Sequence, residues 1–293
     1  MISRMTTSPL KIPWHFRTIG LGTINYRYAS KRLATEVNNL GIFETSVGYS
    51  EGFLKEYSPK FWSDHKNILR ARTPGFGWYI WKPEFIRLSL EKIPKGHGLM
   101  YCDAGNLVSS GTQDLSQLIQ YLNLGSHQNI VASNSQEFIE ENYSSSELIS
   151  LLNLSESQKK SKQFLAGFLL ITHTEEGVSF VNSWRNLACL NDHEYLIPST
   201  TQSLNPNFDT HRHDQAILSC LLKKYQKQGV YIGDKQNLGC VRAVRHRLGY
   251  SYKNPNCISK VIFDLIYFVS RVKLGLEHRI FFKSLTLRPK SHN

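Results

Sequence analysis

Gly98-Leu99-Met100-Tyr101-Cys102-Asp103-Ala104-Gly105 is an apolar run of strand length that stops at a carboxylate and two small residues. An unbroken apolar run suits a strand buried on both faces. The Asp-Ala-Gly end reads as a turn, which puts Asp103 at the carboxyl edge of that strand. Upstream, Phe16–Gly22 reads as a strand entering a glycine turn, and a helix follows with Leu33, Val37 and Leu40 on one face and Gly41 as its stop. Gly20 and Gly22 lack the third glycine of a dinucleotide fingerprint, since Asn25 stands in its place, so that reading is rejected. After a short alternation over Ile42–Val47, Pro83 and Glu84 open a helix with Ile86, Leu90 and Ile93 as its buried stripe.

Downstream, the spacing predicts a helix over Leu115–Leu122, a strand over Asn129–Ala132, and a polar, serine-rich stretch over Ser133–Ser161 with one short helical piece. Phe164–Thr172 reads as a buried strand, followed by a helix carrying Phe180, Val181, Trp184 and Leu187. A last helix opens at Asp214, turns Ile217, Cys220, Leu221 and Tyr225 inward, and is closed by Gly229. Strand and helix alternate throughout, which argues for an α/β layered sheet.

A chain of 293 residues, 41% hydrophobic and 20% charged, is long enough to bury a large core and is neither collagenous nor wholly disordered. Five cysteines with no CxxC spacing suggest neither a disulfide framework nor a zinc ribbon, and a reducing compartment is expected. Met1–Lys11 lacks the apolar centre of a signal peptide, and there is no apolar run of about 18 residues. The protein is therefore expected on the cytoplasmic side. Of the +12 net charge, +9 lies in residues 240–293, where eleven Lys/Arg face only Asp264 and Glu277. There Ile258–Val272 reads as a basic amphipathic helix suited either to the anionic inner face of a membrane or to docking on the sheet.

Three groups of residues have the makings of a site. In open α/β sheets ligands bind outside the carboxyl ends of the strands, so Asp103 is a candidate metal or substrate ligand; the plainer reading is a turn cap. His211-Arg212-His213-Asp214-Gln215 holds more polar side chains than one helix cap requires. In Gly75–Lys82, Gly75 and Gly77 would admit close backbone approach, Trp78, Tyr79 or Trp81 could stack on a ring, and Lys82 could meet a phosphate at a helix start. Core packing of at least one of these tryptophans is the competing expectation. Gly167, after Gln163, marks either a sugar lying against backbone or a tight strand crossing.

Gly75-Phe-Gly-Trp-Tyr-Ile-Trp-Lys-Pro83, Tyr101-Cys-Asp-Ala-Gly105, Gln163-Phe-Leu-Ala-Gly-Phe168 and His211-Arg-His-Asp-Gln-Ala-Ile217 occur in the order and approximate spacing of a group of bacterial glycosyltransferases often found among surface-polysaccharide genes. The chain resembles that group over roughly residues 16–230. The resemblance implies an α/β, GT-A-like nucleotide-diphospho-sugar transferase fold over 14–254, a mixed central sheet flanked by helices, with a basic helical segment over 255–293. It further implies sugar transfer from a nucleotide-sugar donor to a glycan or lipid-linked acceptor. Asp214 and Gln215 would be catalytic, Asp214 either deprotonating the acceptor or stabilising an oxocarbenium-like centre; Asp103 would hold Mn²⁺ or Mg²⁺, and Gly75, Gly77, Trp78, Tyr79, Lys82, Gln163, Gly167, His211, Arg212 and His213 would bind donor or substrate. The family's usual Asp-x-Asp reads Asp103-Ala-Gly105 here, so the second carboxylate is missing, and Asn106 is the neighbouring oxygen. The alternatives are a non-catalytic nucleic-acid-binding protein and an inactive, scaffold-like relative. Because the charge sits in the tail and the aromatics cluster near residue 78, no nucleic-acid partner is expected.

Overall fold

In the computed structural model, which describes residues 9–70, 73–108, 112–197, 205–227, 229–231, 237–238 and 241–243, strand β1 (Trp14–Gly20) buries all seven of its residues. It does so because it lies inside a six-stranded sheet, between β2 (Thr45–Ser50) and β3 (Gly98–Cys102), both parallel to it. β6 (Lys162–Thr172) pairs antiparallel with β3 on one side and with β5 (Ile130–Ile139) on the other, and β7 (Gly229–Tyr231) closes the sheet parallel to β5. The sheet is therefore mixed. A second, three-stranded sheet joins β4 (Asn106–Val108) to β9 (Val241–Ala243) and β8 (Asn237–Leu238).

Among the described residues, five helices of more than ten residues cover the main sheet: α1 (Ile24–Asn38), α2 (Trp81–Glu91), α3 (Thr112–Gln128), α4 (Glu175–Cys189) and α5 (His213–Lys224). The pleat divides the core between them. Leu99 and Tyr101 of β3 join Phe85 and Ile86 of α2 and Trp184 of α4, whereas Met100 and Cys102 join Leu33 of α1 and Leu118 and Leu122 of α3. α1 lies so close to the sheet that a Cβ on Gly20 would stand 1.9 Å from the Tyr26 carbonyl oxygen, and one on Gly48 would stand 2.2 Å from that of Ser30. The glycine turn read from sequence thus serves helix-to-strand packing.

Several boundaries differ from the sequence reading. The polar stretch after Ala132 does not leave the sheet: β5 runs on to Ile139, with register shifts after Ala132 and after Asn134 that let Ser-Asn-Ser-Gln follow the edge of β6. Three short helices then span Glu140–Tyr143, Ser146–Leu152 and Glu156–Lys159 in place of one helical piece. α2 begins at Trp81, two residues before Pro83, and α3 extends both ways beyond 115–122. α5 stops at Lys224, so Tyr225 is 48% exposed rather than inward, and Gly229 belongs to β7. The boundary near Asn254 and the basic segment 255–293 lie outside the described residues. No helix among the described residues is long and apolar enough to cross a membrane.

Gly20→Ala forces a backbone shift where β1 meets α1, because the atom in the way is a carbonyl and not a flexible side-chain end. A loss of about 1–3 kcal/mol, the usual range for overpacking, is expected in urea unfolding.

Candidate functional site

The alternation that turns Leu99 and Tyr101 toward α2 carries one step further to Asp103, at the end of β3. There it meets Lys82 from the first turn of α2: Nζ lies 3.3 Å from Asp103 Oδ1 and 3.0 Å from Asp214 Oδ2. Asp214 comes from the first turn of α5, and its backbone carbonyl accepts a hydrogen bond from Trp184 Nε1 at 3.1 Å. Three elements distant in sequence thus deliver two carboxylates to one ammonium. The Lys82 and Asp214 side chains are 3% and 4% exposed, while that of Asp103 is 40% exposed, so the cluster opens to solvent on the Asp103 side.

Each charge acts on the others. Burial alone would push the Lys82 ammonium down, but Asp103 and Asp214 together hold it above its ordinary value. One ammonium cannot neutralise two carboxylates. Burial, aided by repulsion from Asp103 and opposed by Lys82, pushes Asp214 up to about 6. Tyr101, fully buried, donates to Asp103 Oδ1 at 2.6 Å; its hydroxyl is held well above its ordinary value by burial and then by Asp103.

Lys82 was expected to bind a phosphate, and its surroundings argue against that. Besides the two carboxylates, Nζ donates to the Ala166 carbonyl at 3.2 Å, so three acceptors face an ammonium with three protons. Lys82 is therefore the cross-link of the site. The rings of Tyr79, Tyr101 and Trp81 surround it at 4.9, 5.8 and 5.9 Å. Trp81 is itself a core residue, with Nε1 donating to the Gly75 carbonyl at 2.9 Å.

Gly75, Phe76, Gly77, Trp78 and Tyr79 all have positive φ, a full left-handed turn. Only the two glycines adopt that conformation freely; Phe76, Trp78 and Tyr79 each cost roughly 1–2 kcal/mol. The turn is held by Trp78 N to the Pro74 carbonyl at 2.7 Å, Ile80 N to that of Gly77 at 3.0 Å and Lys82 N to that of Tyr79 at 2.9 Å. Its outcome is to stand Tyr79 over Lys82 and bring Trp78 within 6.2 Å of the His213 ring. The Gly-rich aromatic run and the histidine cluster therefore meet.

Other expected ligands are engaged elsewhere. His211 Nδ1 accepts from Ser145 N at 3.1 Å and Nε2 donates to the Tyr195 carbonyl at 3.1 Å; burial drives it down to about 3, so it is a neutral brace with both nitrogens used. His213 contacts the Leu196 carbonyl through Nδ1 at 2.9 Å and is likewise lowered by burial. Arg212 stacks on Phe138 at 3.8 Å. Gln163 is fully buried and bonds to Glu140, Ser144 and Tyr143, with Gln215 as its fourth partner, so it cannot touch a substrate directly. Gly167 neighbours Asp103: its carbonyl accepts Asp103 N at 3.0 Å, and a Cβ there would lie 3.2 Å from Asp103 Oδ2.

Sequence reasoning missed Tyr101 and Glu140. Tyr101 was recoverable from the period-two alternation that ends at Asp103. Glu140 carried no local signal, since it stands in a polar stretch and its partners come from β6 and α5.

A divalent cation implied by the family resemblance would find a thin but suitable donor set. Asp103 Oδ1 is occupied by Tyr101 and Lys82, which leaves Oδ2 as the protein oxygen, and the cluster of two carboxylates and one ammonium has a surplus negative charge. Among the described residues no group of three or more His, Cys, Asp or Glu could hold a metal ion, so most ligands would come from substrate and water.

No family model and no curated protein matches the chain. Among solved structures it is similar to the galactosyltransferase LgtC in complex with donor and acceptor sugar analogues, at 15% identity and a TM-score of 0.40, over 75% of this chain and 74% of that one. It is also similar to apo mouse xyloside xylosyltransferase 1, at 9% identity and 0.39, over 75% and 85% of the two chains. A third is a glycosyltransferase involved in glycosylation of the major capsid of PBCV-1, at 9% and 0.34, over 68% and 81%. These likenesses are distant, and what the site does has to be read from its own side chains.

Lys82→Met leaves two carboxylates together without their shared cation, one of them buried. We expect a loss of about 3–5 kcal/mol in urea unfolding at neutral pH, the cost of an uncompensated buried charge. The loss should shrink as the pH is lowered and Asp214 takes up a proton. Equal destabilisation at acid and neutral pH would contradict the ionic account.

Proposed function

We propose that the chain is a GT-A-type glycosyltransferase moving a sugar from a nucleotide-diphosphate donor to a glycan or lipid-linked acceptor, in surface-polysaccharide assembly. The observation that carries this reading is the convergence of Asp103 and Asp214 on Lys82 at the carboxyl end of β3, where open α/β sheets bind ligands. An acid raised toward neutrality is suited to general-base work, because it is ionised at working pH yet basic enough to take a proton. In this scheme the Asp214 carboxylate accepts the proton of the acceptor hydroxyl as that oxygen attacks the anomeric carbon of the donor. Lys82 keeps the acid in place, and Gln215 beside it orients a hydroxyl. The Asp103 carboxylate would hold Mn²⁺ or Mg²⁺, which when bound offsets the charge of the departing diphosphate. Attachment of residues 255–293 to an anionic membrane surface, near a lipid-linked acceptor, is the further reading that their excess of cations supports.

Asp214→Asn should lower turnover by about 10²–10⁴-fold while nucleoside-diphosphate binding is kept, measured by nucleotide release from a panel of nucleotide sugars and by calorimetry. Undiminished turnover would exclude the general-base role.

With the wild-type chain, turnover should fall below a pH of about 6, tenfold per pH unit, because the raised acid is then protonated. A profile flat from pH 5 to pH 8, read by the same nucleotide release, would contradict the assignment.

A further inference from the structure

We propose that Glu140 is a positioning residue which, through Gln163, fixes the direction of the Gln215 side-chain amide, so that Gln215 meets a sugar hydroxyl with its carbonyl oxygen. The inference rests on the proposed sugar-transfer function for the identity of the ligand, and on the packing alone for the orientation. Glu140 has no exposed surface. Its Oε1 accepts from Ser144 Oγ at 2.6 Å and Gln163 Nε2 at 2.9 Å; Oε2 accepts from Lys223 Nζ at 2.8 Å and from Ser219 Oγ. With Lys223 as its counter-ion, the carboxylate is an acceptor only.

That fixes Gln163. Its Nε2 faces the Glu140 carboxylate, the Tyr143 carbonyl at 3.2 Å and Ser144 Oγ at 3.0 Å, and the first two have no proton to give. A reversed amide would set oxygen against oxygen in a buried place, an expensive arrangement. Gln163 Oε1 must therefore point the other way, where it accepts from Gln215 Nε2 at 2.8 Å. Gln215 is fixed in turn: its amino end is committed to Gln163, which under the proposed function leaves its carbonyl oxygen as the end offered to a ligand. A bare carbonyl oxygen only accepts, so it selects a donor such as a sugar hydroxyl and disfavours a second acceptor such as a phosphate oxygen.

The test uses the ¹⁵N-labelled full chain and two substitutions at Gln163, which bonds to the titratable Glu140, itself in contact with Lys223 and Cys220. In Gln163→Leu, side-chain amide NMR should show the Gln215 protons exchanging about five- to tenfold faster, the worth of one net hydrogen bond, with turnover down by about 10- to 100-fold. In Gln163→Glu, a protonated carboxyl can donate to Glu140 and accept from Gln215, whereas the ionised form cannot donate. Turnover by this variant should thus acquire a falling limb on the alkaline side that the wild type lacks, with folding checked by circular dichroism. Unchanged Gln215 exchange in Gln163→Leu, or a Gln163→Glu profile parallel to the wild type, overturns the inference. If the exchange result holds but the wild type releases nucleotide from no nucleotide sugar, the orientation stands and the proposed sugar transfer falls.

Discussion

A buried ammonium shared by two carboxylates is the constraint on which the rest of the site depends. Placed in the core alone, Lys82 would lose its charge; with Asp103 and Asp214 beside it, the charge is kept and the three side chains hold one another. The ends of β3, α2 and α5 are thereby tied together at their chemically active residues. Because two negative charges share one positive, the cluster is both a cross-link and a source of basicity, and the raised proton affinity belongs to Asp214, the acid furthest from water.

Much of this was legible in the sequence. The apolar run before Asp103 predicted a central strand, and the aromatic run and the histidine cluster each marked the opening of a helix. What the residues could not state was which polar side chains are ligands and which are braces. His211, Gln163 and Lys82 look like ligands in a linear motif, yet the structure saturates each with internal partners. Saturation depends on groups brought in from other elements, so no local pattern reveals it. β5 was read too short for a related reason: its polar continuation is held by pairing with β6 and not by apolar alternation.

Two devices keep the site stiff. The left-handed turn over residues 75–79 is unfavourable at its three non-glycine residues and persists only because hydrogen bonds on both sides over-determine it. The second is the Glu140 cluster, which fastens the short helix after β5 to β6 and α5. Tyr79 against Lys82 and Gln215 against Gln163 are thus each held by a brace of their own, which is what a reaction needing fixed geometry requires.

The pleat of β3 makes chain length at this strand as consequential as composition. Leu99, Tyr101 and Asp103 share a face only because they are spaced by two, and an insertion or deletion of one residue among 98–102 would send Asp103 toward α1 and α3. Descendants of this chain are therefore free to vary the apolar identities of the strand while its length behaves as a ruler. Divergence here would be recorded as substitutions and almost never as gaps.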